Sequence, residues 1–130
     1  MVTDYQPTRN NPYLLPKTLY NRTLWHIRDY NRLQNERQKL LQDCTPPAGS
    51  PQALCLEQLT KDIDAIEQAL LTVDSDLRQG LMAQICRGTP YPFCPSTSTW
   101  VRQKQRFIHQ VAKNLHLIPQ VDLPRKNNLL

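Results

Sequence analysis

The sequence predicts an all-α protein of four main helices: an N-terminal antiparallel helical hairpin followed by a helix-turn-helix-like pair. Three observations predict it. Apolar residues recur every three or four positions over long stretches, as one face of a helix requires. No stretch alternates apolar and polar residues as a half-buried strand would. Eleven prolines stand against three glycines, and the prolines gather at 7, 12 and 16, at 46, 47 and 51, at 90, 92 and 95, and at 119 and 124. Proline fixes φ and has no N–H to donate, so these clusters mark helix starts and connections.

Residues 1–15 read as an N-terminal arm, polar and rich in proline and asparagine, with Tyr13, Leu14 and Leu15 as a hook onto the body. Pro16 suits a first helical turn, where its missing donor costs nothing. From there Tyr20, Leu24, Ile27, Tyr30, Gln34, Arg37 and Leu41 lie on one face, flanked by Trp25, Leu33 and Leu40, which predicts a first helix over 16–43. The stretch 44–51, Cys-Thr-Pro-Pro-Ala-Gly-Ser-Pro, breaks the helix and lets the chain turn back. Leu56, Leu59, Ile63, Ile66, Leu70 and Val73 then form a stripe of heptad type, which predicts a second helix over 52–73. That stripe serves either the intrachain hairpin or a seam with a second copy, so 16–73 is read as a core or dimerisation unit.

Residues 74–118 read as a helix-turn-helix-like basic unit. Asp74-Ser75-Asp76 is a capping signal, and Leu77, Leu81, Met82 and Ile85 support a third helix over 75–87, stopped by Gly88. Three prolines in 89–95 forbid helix there, and Tyr91 and Phe93 are expected to anchor that loop. Ser96, Thr97, Ser98 and Thr99 offer N-caps for a fourth helix over 98–117, which Pro119 ends. Its apolar side carries Trp100, Val101, Phe107, Ile108, Val111, Leu115 and Ile118, with the stem of Lys104. Its outer side carries Arg102, Gln103, Gln105, Arg106, His109, Gln110 and Lys113. Residues 119–130 show no periodicity and read as a flexible tail.

Charge placement narrows the function more than total charge does. The net charge of +5 divides unequally: residues 1–76 hold eight Lys/Arg and ten Asp/Glu, whereas 77–130 hold eight Lys/Arg and one acid, Asp122. A basic C-terminal third attracts polyanions, and nucleic acid above all. No apolar run reaches the ~18 residues a membrane span needs, and the first residues lack the pattern of a secretion signal, so a cytoplasmic protein is expected. Cys44, Cys55, Cys86 and Cys94 are separated by 10, 30 and 7 residues, which fits no common zinc pattern, and reduced thiols are expected. No glycine-rich phosphate loop occurs, His109 and His116 lie seven apart, and His26 is remote from both. Asp62, Asp64 and Glu67 read as a solvated helix face. No catalytic residue, cofactor or metal ligand is therefore expected, and the chain is read as a binding protein, not an enzyme.

The fourth helix is where binding chemistry gathers. Arginine and lysine pair with phosphates or guanine edges, and glutamine pairs with adenine. Arg102, Gln103, Arg106, His109 and Lys113 are expected to face DNA. Ser96, Ser98 and Thr99 are expected to cap the helix and touch phosphate.

Two segments carry a resemblance. Pro12-Tyr13-Leu14-Leu15-Pro16-Lys17 with Arg22-Thr23-Leu24-Trp25-His26-Ile27-Arg28-Asp29-Tyr30-Asn31-Arg32-Leu33 resembles the N-terminal helix of ArpU/RinA-type late transcriptional regulators of Firmicutes phages and prophages. The stretch from Ser98-Thr99-Trp100 through Arg106-Phe107-Ile108-His109-Gln110-Val111-Ala112-Lys113-Asn114-Leu115-His116-Leu117-Ile118 is similar to their closing helix. The resemblance covers about 16–118, with 44–55 unassigned, and rests mostly on core positions. It implies a helix-turn-helix of the sigma-factor region 4 type, with 98–117 as recognition helix. The place just before that helix holds the proline-rich loop 88–95, so either 75–87 takes the supporting role or the motif is degenerate and has lost DNA binding. The reading that follows is a phage-type DNA-binding transcriptional regulator in a bacterial host cell. Its partners would be double-stranded DNA, with a homodimer and host RNA polymerase or another host protein as further partners. The alternatives are a phage module that binds a host protein, with Trp25 in its contact face, and a nucleic-acid-binding packaging or structural component.

Overall fold

The computed structural model describes residues 6–7, 11–43, 46–92 and 96–118. Among the described residues there are five α-helices and no strand: α1 (Lys17–Arg28), α2 (Tyr30–Asp43), α3 (Pro51–Leu70), α4 (Ser75–Arg87) and α5 (Thr97–Asn114). The all-α expectation holds, but with five helices in place of four.

The extra helix comes from a break at Asp29 inside the expected 16–43 helix. Asp29 ends α1 with φ −88° and ψ 1°, and its N–H is shared between the carbonyls of Trp25 and His26. Its carboxylate bonds the Arg32 guanidinium, which also reaches Glu36 and holds the Asp29 carboxyl below the usual carboxylate value. The break turns the buried face. In α1 the buried residues are Tyr20, Thr23, Leu24 and Ile27. In α2 Leu33 is buried and Leu40 half-buried, while Leu41 is 49% exposed. A single stripe ending at Leu41 is therefore incorrect. α1 packs on α4 and α5, and α2 packs on α3, so one straight helix could not serve both.

Two apolar clusters follow from this division. The larger joins α1, α3, α4 and α5 around Ile27, Ile66, Leu81, Trp100, Phe107 and Val111. The smaller joins α2 and α3 through Leu33, Leu59 and Ile63. Four positions of the expected α3 stripe, Leu59, Ile63, Ile66 and Val73, are buried within the chain, while Leu56 and Leu70 are half-buried. The centre of that stripe is thus closed intramolecularly and is not open to a second copy.

Local signals set most helix ends. Ser50 caps α3, its hydroxyl accepting from the Ala53 N–H at 3.1 Å, and Pro51 fills the first position. Asp74 and Ser96 occupy the N-cap positions of α4 and α5, yet neither side chain caps a backbone N–H. Gly88 ends α4 with φ 69°, where glycine carries no Cβ penalty. α5 closes in the same left-handed way on a histidine: His116 has φ 60°, its N–H reaches the Lys113 carbonyl, and the Leu117 N–H reaches that of Ala112. A non-glycine residue there carries a steric cost of about 1 kcal/mol or more. His116→Gly is therefore expected to stabilise the protein by roughly 0.5–1 kcal/mol in urea unfolding, part of the gain being lost to the freer unfolded chain. An unchanged or lower midpoint would contradict this.

Polar ties hold the helices in register. Arg28 donates from Nε to the Ile85 carbonyl at 2.9 Å, placing a cation at the C-terminal end of α4. The Asn114 amide donates to the Ala65 carbonyl at 3.0 Å and joins α5 to α3. Tyr30 donates its hydroxyl to Glu67 at 2.7 Å and accepts from the Gln34 amide. Burial, and then the adjacent Glu67 carboxylate, push the Tyr30 phenol up to about 12 from 10.0. A raised folded-state value means this contribution is intact below pH 10 and is lost as pH rises from 10 towards 12. Wild-type stability is expected to fall across that window more steeply than that of Tyr30→Phe, measured by denaturant midpoint against pH.

Candidate nucleic-acid interface

α5 carries the interface residues because its two sides differ so sharply. Trp100, Lys104, Gln105, Phe107, Ile108, Val111 and Ala112 are buried along one side. At about 100° per residue, Arg102, Arg106, His109 and Lys113 fall in one sector opposite the centre of that buried side. Arg102, Arg106 and Lys113 are exposed, Gln103 and His109 are half-buried, and among the described residues no ion pair engages the three cations. The structure thus brings Arg102, Arg106, His109 and Lys113 together as a stripe and sets Gln103 at its flank.

At the start of α5, Ser96, Ser98 and Thr99 do not act as the expected caps. The Ser96 hydroxyl instead bonds the hydroxyls of Ser98 at 3.1 Å and Thr99 at 3.2 Å. Ser96 and Ser98 are exposed and Thr99 is half-buried, so the N–H groups of the first turn have no side-chain cap.

Gln105, expected on the outer face, is buried at 3% exposure. The N-terminal arm covers it. Gln105 Nε2 donates to Gln6 Oε1 at 2.8 Å and to the Tyr13 carbonyl at 2.7 Å. Gln6 in turn exchanges two bonds of 2.8 Å with the backbone of Leu15. Asn11 accepts from the Tyr13 N–H at 3.0 Å across Pro12, a turn typical of an asparagine before proline. The expected hook therefore divides: Leu15 is buried, Tyr13 is half-buried, and Leu14 is 47% exposed. Tyr13 meets His109 edge-on, with ring centroids 5.3 Å apart. Burial first, and the Lys113 charge second, push the His109 imidazole below its ordinary 6.5, which favours its neutral form. The cationic part of the stripe is thus Arg102, Arg106 and Lys113.

The arm was the part of this site that periodicity missed. Only the Asn11-Pro12 pair signalled its turn; a clamp between two glutamines far apart in sequence leaves no spacing to read.

The support beneath α5 is tight. Trp100 is 2% exposed and stacks on Tyr91 with centroids 5.1 Å apart, as the loop-anchor expectation held for Tyr91. Phe93, the other expected anchor, lies outside the described residues, as do Cys44, Cys94 and the expected tail. Of the other cysteines, Cys55 is exposed, and Cys86 is a half-buried thiol whose ionisation burial opposes. The described residues contain no group of three or more His, Cys, Asp or Glu side chains that could hold a metal ion. No helix among them is long and apolar enough to cross a membrane.

Fold and site together define an all-helical chain that presents a basic helix face framed by its own N-terminal arm. Comparisons with known protein families, with characterised proteins and with solved structures find no match.

Proposed function

We propose that this chain is a DNA-binding transcriptional regulator of phage or prophage type that lays α5 against the duplex. The observation that carries the proposal is the cationic stripe of Arg102, Arg106 and Lys113, in no ion pair among the described residues, on the exposed face of a well-supported helix. On this reading α2 and α3 form the antiparallel hairpin, and α4 supports α5 in a helix-turn-helix-like pair. Arg102, Arg106 and Lys113 meet phosphates or guanine edges, Gln103 reads a neighbouring base, and Ser96, Ser98 and Thr99 lie near a phosphate at the start of the helix. His109 supplies shape, its burial favouring the neutral ring. One helix reads few base pairs, so a homodimer over two half-sites accompanies the reading.

A mobility shift with DNA flanking the gene tests it, comparing wild type with Arg102→Ala/Arg106→Ala at two salt concentrations. Sequence-selective binding that the double variant loses is the expected result. Absence of binding at low salt by a protein shown folded by circular dichroism would refute it.

A second reading, a module that binds a host protein, is favoured by one observation. Trp25 is 66% exposed, lies under the Arg28 guanidinium at 4.9 Å, and borders a hollow of about 470 Å³ shared with Arg22, His26 and Leu117. Exposed aromatics beside arginine are common centres of protein interfaces.

A further inference from the structure

The arm and α5 enclose a pocket of about 410 Å³. We propose that this pocket binds a phosphoryl group, supplied either by a nucleic-acid backbone or by a free nucleotide. Arg102 and Arg106, one helical turn apart, both line it. Their forked guanidinium donors match the oxygens of a phosphate. Asn11, Tyr13, Gln103, Gln105 and two prolines complete the wall, with no carboxylate among them. Among the described lining residues, an anion entering therefore meets two cations and no opposing charge.

The wall is already set in place. The Gln6–Gln105 clamp and the Asn11 turn hold the arm against the helix, so little ordering remains to be done on binding. A second observation points to a ligand with a donor beside its anion. Gln105 lines the pocket, and its Oε1 is buried with no hydrogen-bond partner among the described residues. The amide cannot simply be reversed, because Nε2 already serves two acceptors. A buried acceptor without a donor is costly, and a sugar hydroxyl or base amine next to a phosphate satisfies it once a small shift of the Gln105 side chain admits the ligand group.

The pocket shares Arg102 and Arg106 with the proposed DNA interface and deepens that reading; its test separates the two. The full-length protein is titrated with inorganic phosphate and with 5′-dAMP while the Arg102 and Arg106 Nε–H and the Asn11 side-chain amide signals are followed by NMR. Saturable shifts at these positions are expected, with dAMP binding roughly three- to tenfold more tightly because it adds the donor. Asn11→Asp places a carboxylate in the wall of the pocket that both arginines line and is expected to weaken both ligands about tenfold. Gln103→Glu repeats the test from the helix side in case the first variant frees the arm, which loss of the Tyr13–His109 contact would reveal. If both variants also weaken a labelled duplex, the phosphate belongs to nucleic acid; if only dAMP is weakened, it belongs to a free nucleotide. No shift at the two arginines with either probe overturns the pocket even where a duplex binds, and so does a uniform shift across all exposed cations. Saturable dAMP binding without duplex binding keeps the pocket and removes the DNA reading.

Discussion

Trp100→Ala is expected to lower stability by about 3–5 kcal/mol, with a fall in Tm on the order of 10–20 °C. The indole is 2% exposed and lies where α5, α4 and residues 88–92 meet, stacked on Tyr91. Removing it leaves a cavity at the joint that supports the basic helix. Its neighbour makes the complementary test. Gly80 lies in α4, and a Cβ built there would stand 2.8 Å from Trp100 Cη2 and 3.3 Å from Cζ3. Helix propensity favours Gly80→Ala by about 1 kcal/mol, but the rigid ring has to yield, and overpacking costs about 1–3 kcal/mol. Net destabilisation is therefore expected. Trp100→Phe should be much milder, because the indole N–H is buried without a partner among the described residues. Thermal or urea unfolding of the three variants checks the order. A stabilised Gly80→Ala would show that the close approach of α4 to the ring is absent in solution.

Arg102→Ala/Arg106→Ala is expected to weaken duplex binding about 10- to 100-fold near physiological salt and to flatten its salt dependence. Each arginine that neutralises a phosphate releases counterions, so the slope of log K against log salt should become shallower by about 0.9 per lost contact. Two lost contacts change the slope by nearly two, which fluorescence anisotropy over a salt series resolves. An unchanged slope with reduced affinity would assign the arginines to base edges, and selectivity would fall with them. Unchanged slope and affinity would place any nucleic-acid contact elsewhere. Folding is not at issue in this variant, since both side chains are exposed on the face opposite the core.

Several helix ends were legible in the sequence by itself, because their signals are local, although the end of α1 at Asp29 was not. Ser50-Pro51 starts α3, Gly88 stops α4, and the apolar spacing of α5 separates its core side from its basic side. The sequence also determined the asymmetry of charge that makes α5 a basic surface, since no acid occurs between Asp76 and Asp122. Long-range packing set the rest. Periodicity runs through Asp29 unbroken; the chain bends there because α1 and α2 bury their faces against different neighbours. Gln105 has the polarity of a surface residue, yet it is buried because two distant oxygens, on Gln6 and Tyr13, satisfy its amide nitrogen. His109 reads as a cationic contact, yet burial favours its neutral form. A pattern along one helix records which side meets an apolar surface. It does not record which segment, ninety residues away, arrives to supply hydrogen bonds and exclude water.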